Sequence, residues 1–358
     1  MTDRTPTLCV DCRMADMSGI GVYIRHVVPR CAKAMPDVRF RLLGRGGLPF
    51  ALPHNAEFVD APAPVYGIRE QIDLPLLARG AQGFWAPHYV VPLLSALPLV
   101  VTLHDAAHLA LPAIFGRAKR AYARLFFAAI RRRARAILCD SSFTAREYRR
   151  LAGEPRGPIH VVPLGVDAFW SEEAAGERRF AFPYFLAVGN LKPHKNIAAL
   201  CRAFAGIAPQ CPHHLVLAGK KEGFRTGLDG RALESLIPGR IHCTGAVDAP
   251  SLRRLVGDAD CLVFPSLYEG FGLPPLEALA CGTPVLASDI PPVRETCADA
   301  ADYFDPHSES SLREGLLRCA ALSADREARE ARRRRAALFS WDRTAALTVS
   351  ALKQAFGL

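Results

Sequence analysis

The chain has 358 residues, half of them hydrophobic, with a mean hydropathy of +0.10 and a formal net charge of +10. That composition excludes disorder and provides for two cores, each in a domain of roughly 150 to 200 residues. A bilayer-spanning helix is excluded as well, because the longest apolar run, residues 90–103, is too short and is broken by Pro92 and Pro98.

In chain order, the start Met1-Thr-Asp-Arg-Thr-Pro-Thr7 lacks the apolar stretch of a secretory signal. The expected location is the cytoplasm or the cytoplasmic face of a membrane. Leu8-Cys-Val10, Phe40-Arg-Leu-Leu43, Leu99-Val-Val-Thr-Leu103, Ala136-Ile-Leu-Cys139 and His160-Val-Val162 read as strands of the first half. Phe185-Leu-Ala-Val188, His214-Leu-Val-Leu-Ala218, Ile241-His-Cys243, Cys261-Leu-Val-Phe264 and Pro284-Val-Leu-Ala287 read as strands of the second. Short, fully apolar strands alternating with amphipathic helices define parallel sheets covered on both faces, so the fold class is α/β with two doubly wound domains. The expected boundaries are 1–168 for the first domain, 169–180 for a polar linker and 181–338 for the second domain. The last stretch, 339–358, is expected as a helix packing back toward the first domain.

The eleven cysteines are scattered apart from Cys9-Val-Asp-Cys12. No second Cys or His pair stands at zinc-ligand spacing, and the pair sits on a predicted strand, so packing is favoured over a redox or metal role. The charge is uneven. Residues 1–167 hold 22 Lys and Arg against 13 Asp and Glu, whereas the remainder is nearly balanced. Much of the excess lies in a basic amphipathic helix expected over residues 116–135. It has two readings: contact with an anionic inner-membrane surface through residues 117–135, or packing through Tyr122, Leu125, Phe126, Ala129 and Ile130 with its arginines in water. Arg332-Arg-Arg-Arg335 comes with no nucleic-acid-binding motif, and no nucleic-acid partner is expected.

In open α/β sheets, ligands bind beyond the carboxyl ends of the strands. Four motifs fall there. Ser18-Gly-Ile-Gly-Val-Tyr23 follows the first strand, where glycine permits close backbone approach. Thr102-Leu-His-Asp105 ends a strand with a pair suited to acid/base work or hydrogen bonding, or else to packing and capping. Gly189-Asn-Leu-Lys-Pro-His-Lys-Asn196 sets a glycine turn, lysines and a helix start in the order that holds a phosphate. Glu269-Gly-Phe-Gly-Leu-Pro-Pro-Leu-Glu277 cannot be helical throughout. Its glycines form a loop carrying Glu269, and Pro274-Pro275 opens a helix expected to hold Glu277 in its first turn. Asp258-Ala-Asp260 has a metal-binding form but precedes its strand, on the wrong side for a ligand, so no metal is expected.

Taken in order, these pieces resemble the retaining GT-B glycosyltransferases of family 4, the mannosyltransferase-like members in particular. The resemblance rests on Asp11-x-Arg13, Gly19-Ile-Gly21-x-Tyr23, Thr102-Leu-His-Asp105, Ser141-Ser-Phe-Thr144 and Val161-Val-Pro-Leu-Gly-Val-Asp167. It continues through Val188-Gly-Asn-Leu-Lys-Pro-His-Lys-Asn196, Pro265-Ser-Leu-Tyr-Glu-Gly-Phe-Gly272 and Glu277-Ala-Leu-Ala-Cys-Gly-Thr-Pro284. It implies two Rossmann-like domains facing across a cleft and transfer of a hexose, mannose from GDP-mannose, to a lipid-linked or growing polysaccharide acceptor. UDP-sugar donors, a sugar-nucleotide 2-epimerase of the same fold and a non-catalytic binding subunit are the alternatives.

By the same resemblance, Glu269 contacts the donor sugar, with Phe271, Gly272 and Leu273 offering backbone donors, and Glu277 grips the ribose. Lys195 neutralises the diphosphate, and Gly19 lets a loop close on it. His104 lies beside the transferred sugar, and Val247 is placed near the base. Asn190 stands where many members carry an arginine, a loss for which Lys192 or His194 compensates. His104, Lys195 and Glu269 are thus the expected catalytic residues, with Glu269 positioning sugar and not acting as a nucleophile. The acceptor site is expected at His88, Tyr89 and Asp105. No cofactor is expected beyond the nucleotide-sugar substrate.

Overall fold

The computed structural model describes residues 5–17, 19–172, 178–219, 230–323 and 325–358. Residues 1–4, Ser18 of the first glycine motif and residues 173–177 of the expected linker lie outside the described residues. The chain forms two compact units, Met1–Gly165 together with Ser340–Leu358, and Val166–Phe339.

Unit one is built on seven parallel strands: β1 (Thr7–Asp11), β2 (Arg39–Gly44), β3 (Ala56–Asp60), β4 (Gly83–Ala86), β5 (Leu99–Leu103), β6 (Ala134–Cys139) and β7 (Ile159–Val161). Their order is β3-β2-β1-β4-β5-β6-β7. Unit two has six parallel strands: β8 (Tyr184–Val188), β9 (His214–Ala218), β10 (Ile241–Gly245), β11 (Cys261–Phe264), β12 (Val285–Ser288) and β13 (Asp302–Phe304), in the order β10-β9-β8-β11-β12-β13. The central strands are buried along their whole length, as in β5 and β11, because helices cover both faces of each sheet. Separate cores follow, one around Phe84, Val101, Phe126 and Ile137, the other around Phe185, Leu217, Val263 and Leu286.

Three strands differ from the apolar-run reading. β3 is a half-exposed strand at the sheet edge, β13 is a three-residue edge strand, and β4 is only four residues long and begins at Gly83. None contains a long apolar run.

Several sequence motifs prove to be helix punctuation. The Ser141 hydroxyl accepts the Thr144 N–H at 3.0 Å and caps helix Ser142–Ala152. Gly282 ends helix Leu273–Cys281 in the left-handed conformation at φ 81°, and the Thr283 hydroxyl then donates to the Val256 carbonyl at 2.7 Å. The arginine tract serves the same purpose. Arg332 donates to the Gly282 carbonyl at 3.2 Å, and Arg335 donates to the carbonyls of Glu295 and Thr296 at 2.6 and 2.9 Å. Asp258 and Asp260 accept the backbone N–H groups of Arg179 and Tyr184 at 3.2 and 2.7 Å, fixing the chain as it enters β8.

The basic helix runs over Arg117–Arg133 and buries Ala123, Phe126, Phe127 and Ile130. The expected packing face needs correction here. Leu125 is 56% exposed, because the buried stripe follows the spacing of residues 123, 126, 127 and 130 and leaves position 125 to one side. All eleven cysteines are free thiols, Cys9 and Cys12 among the buried ones.

Helix Trp341–Phe356 completes unit one. It lies along helix Ile20–Ala34, with Trp341 stacked on His26 at 4.8 Å and Leu352 fully buried. A side chain on Gly165 would collide with the backbone of Ser340 and Trp341 where this helix begins. Gly165→Ala is therefore expected to cost about 1–3 kcal/mol through overpacking against atoms that cannot rotate away. Gly116→Ala, where a Cβ meets open space, should leave stability nearly unchanged, and urea titration of both variants checks the contrast.

Candidate active site

In each sheet the strand order reverses once, and the loops leaving the two strands at that point diverge to open a crevice. In unit two the reversal lies between β8 and β11. The loop after β8 carries Gly189, Asn190, Lys192 and Lys195; the loop after β11 carries Glu269. The two loops are joined by the Leu267 N–H, which donates to the His194 carbonyl at 2.8 Å. Across them the Lys195 ammonium meets Glu269 Oε1 at 2.5 Å, with side-chain exposures of only 20% and 15%. A pair so shielded is stronger than a surface ion pair, and it fixes a flexible lysine in one place.

Backbone geometry sets this loop. Pro193–Lys195 forms a single 3-10 turn, and Asn196 then takes a left-handed conformation at φ 56° before helix Ile197–Ile207. The Asn196 amide donates to the Pro306 carbonyl at 3.2 Å. Gly189 donates to the Ala218 carbonyl at 2.9 Å, and its own carbonyl lies so close to Gly219 that a Cβ there would collide with it. Asn190 and Lys192 are half-exposed.

Gly272 caps helix Leu273–Cys281 at φ 116°, a conformation suited to glycine, and Leu273 is the first helical residue. Pro274 and Pro275 carry no N–H and the Leu276 N–H donates to the Gly272 carbonyl, so the Leu273 N–H is what this first turn offers an anion. Phe271 is buried, with its ring 5.8 Å from Phe339, and its carbonyl accepts the Thr296 hydroxyl at 3.1 Å. The expectation for Glu277 is corrected. It is the fifth helical residue, in the second turn, because the helix starts at Leu273, ahead of the proline pair. Burial pushes its carboxyl up to about 8. Val247 is half-buried in the loop after β10, beside Asp248, which caps the next helix.

In unit one the reversal lies between β1 and β4. A buried network crosses it. Arg13 pairs with Asp11 at 2.7 Å and with Glu70 at 2.9 Å, and His88 Nε2 donates to Asp11 Oδ2 at 3.1 Å. Burial alone would push the Asp11 carboxyl up, but Arg13 and His88 together hold it well below the usual carboxylate range. His88 Nδ1 accepts the Val90 N–H at 3.1 Å, so both ring nitrogens of this 1%-exposed residue are used within the fold. His88 therefore supports the crevice from beneath and has no nitrogen left for an acceptor. The glycines after β1 have different reasons. Gly19 sits at φ 72°, whereas a Cβ on Gly21 would press on the carbonyls of Met14 and Ala15 at 2.9 and 2.6 Å.

Tyr89 is half-buried among Tyr66, His108, Phe126 and Phe127 at ring separations of 5.4 to 6.5 Å. Tyr66 is 47% exposed and takes an unusual φ of 69°. Asp105 Oδ1 accepts the Ala107 N–H at 2.9 Å at the start of the short helix Ala107–Ala110. His104 bonds to Asp140 and to the Pro87 carbonyl. Sequence reasoning missed Glu70 and Asp140; Asp140 follows the carboxyl end of β6 and was open to the strand-end rule, whereas Glu70 had no local signal. Among the described residues, no group of three or more His, Cys, Asp or Glu is placed to hold a metal ion.

Two parallel doubly wound sheets define the GT-B fold, and sucrose-phosphate synthase from Thermosynechococcus elongatus shares it with a TM-score of 0.78 at 20% identity, over 99% of this chain and 100% of that one. Residues 171–337 match the family described as Glycosyl transferases group 1, and residues 17–168 match Glycosyltransferase Family 4. The chain belongs to this family of glycosyltransferases. O-antigen chain mannosyltransferase B of Escherichia coli is 26% identical over 372 residues, covering 94% of this chain and 96% of that protein. O-antigen chain mannosyltransferase RfbU of Salmonella typhimurium is 32% identical over 133 residues, which is 37% of each chain.

The raised Glu277 carboxyl has a measurable sign. Between its unfolded value of about 4.3 and its folded value of about 8, the native state holds a proton that the unfolded chain releases. Stability therefore falls as pH rises through that window and levels off above it. Glu277→Gln is expected to flatten that part of the pH–stability curve in urea titrations; an unchanged slope would remove the burial argument.

Proposed function

We infer that this glycosyltransferase moves mannose from GDP-mannose, with retention, to a lipid-linked or growing polysaccharide acceptor. The Lys195–Glu269 pair at the β8/β11 reversal carries this reading. When a donor's bond from the anomeric carbon to phosphate oxygen breaks, the electron pair stays on the diphosphate, and charge grows there as the sugar becomes cationic. A lysine already fixed in place, together with the Leu273 N–H at a helix start, stabilises that charge without reorganising. Glu269 orients the lysine and the sugar hydroxyls. The acceptor oxygen attacks the same face of the anomeric carbon, and its proton passes to a departing phosphate oxygen, so no protein nucleophile takes part.

Glu277, short of water, suits ribose hydroxyls, and Val247 lies on the loop that would hold the base. Asn190 brings no charge to the diphosphate, which leaves Lys195 and Lys192 to meet it. The names of the two O-antigen chain mannosyltransferase relatives support mannose as the sugar and a growing O-antigen glycan as the acceptor class. Tyr89 and Asp105 remain the acceptor residues in this reading. Exposed Arg117, Lys119, Arg124 and Arg132 around Leu125 would place the enzyme on the anionic cytoplasmic membrane face.

Lys195→Ala is expected to lower turnover by roughly 10²-fold or more, while thermal unfolding stays cooperative. In a thermal-shift series, GDP-mannose should raise the midpoint more than UDP-glucose does; the reverse order would overturn the donor assignment. Sedimentation with vesicles rich in anionic lipid, but not with neutral ones, is expected for the native chain and weakened when Arg117, Lys119 and Arg124 are all replaced by Gln.

A further inference from the structure

His104 follows β5 with both ring nitrogens occupied. Nδ1 lies 2.7 Å from Asp140 Oδ2, and Nε2 lies 2.9 Å from the Pro87 carbonyl oxygen. Pro87 follows β4 and Asp140 follows β6, so one imidazole ties together the carboxyl ends of three adjacent strands. Tyr23 closes a further side, its ring edge-on to the imidazole at 5.0 Å, and its hydroxyl bonds to Thr102 at 3.2 Å. The Thr144 hydroxyl reaches the His104 carbonyl at 3.5 Å. Asp140 is 2% exposed, and its second oxygen has no partner among the described residues.

The proton count follows from these contacts. A carbonyl oxygen only accepts, so Nε2 must carry a hydrogen. One further proton lies between Nδ1 and Oδ2, on whichever atom, and without it two lone pairs would face each other at 2.7 Å. We propose that Asp140 is a positioning residue of the transfer reaction: with the Pro87 carbonyl it clamps His104 through one shared proton, so that His104 meets its ligand as a fixed ring and exchanges no proton with it. This rests on the glycosyl-transfer reading above, and it reassigns His104 from acid/base chemistry to placement.

The surroundings agree. Burial alone would pull the imidazole down, but the charge and hydrogen bond of Asp140 outweigh it and hold His104 above its usual value. Burial raises Asp140 as well, with His104 opposing. The other titratable groups bearing on the pair are Asp105, whose charge favours keeping the shared proton, and Tyr23 and Cys139, whose own protons burial holds far above neutrality.

Replacing Asp140 separates clamp from charge. In Asp140→Asn the side-chain amide can donate to Nδ1, Nε2–H stays on Pro87, and the pair keeps the same net charge with no shared proton to lose. In Asp140→Ala the clamp is open. With release of sugar from GDP-mannose and from UDP-glucose as readouts, kcat for Asp140→Ala should fall by about tenfold or more, equivalent to ~1.4 kcal/mol. Asp140→Asn should recover most of it, and kcat of the native enzyme should decline at alkaline pH where that of Asp140→Asn does not. Equal loss in both variants, or native activity in Asp140→Ala below its melting range, overturns the proposal. Nitrogen-15 NMR of the native chain decides independently of turnover and of whether Asp140→Ala folds. Nε2 of His104 must stay protonated through neutral pH, with a strongly deshielded proton shared between Nδ1 and Asp140; an unprotonated Nε2 overturns the clamp. If native enzyme releases sugar from neither donor, the donor reading has failed, and the NMR result still judges the pair.

Discussion

Everything in this molecule that bears on chemistry depends on one constraint, the single reversal of strand order in a parallel sheet. Parallel strands need helical crossovers, and where successive crossovers part to opposite sides the loops between them leave a crevice that no helix fills. Here each unit places charge across that crevice. In unit two the charge is a lysine and a glutamate on facing loops; in unit one it is an arginine between two carboxylates with a histidine behind. The loops can be exact in position because the strands that launch them are buried along their length.

The two charged groups do different work because they differ in exposure. The Asp11, Arg13 and Glu70 side chains have no exposure at all. Such buried ions are costly to desolvate and strongly disruptive when one partner is lost, so they suit a permanent floor. Lys195 and Glu269 retain some access to water. Lys195 can therefore be reached from solvent without the enzyme first exposing a buried charge.

The sequence made some of this legible and hid the rest for physical reasons. Short apolar runs marked the central strands well, since burial on both faces demands them; β3 and β13, at sheet edges, face weaker demands and left weaker signals. Glycines and prolines marked the loops correctly, because backbone conformation is a local property. Side-chain partners are not local. Glu70 lies 57 residues from Arg13, and Asp140 lies 36 residues from His104. No spacing rule links them, and only strand order brings them together. His88 reads from sequence as an acceptor-site residue for the same reason: its inward partner, Asp11, is 77 residues away.

Unit two is one continuous stretch, whereas unit one is written in two pieces, with Ser340–Leu358 supplied after unit two is complete. Phe356 from that last helix rests against Gly83 at the start of β4, and Leu352 is fully buried. Unit one therefore lacks the helix that packs on helix Ile20–Ala34 until the last residues of the chain have been made. A chain cut short before Ser340 would keep every residue of the second unit while leaving the first without its final helix.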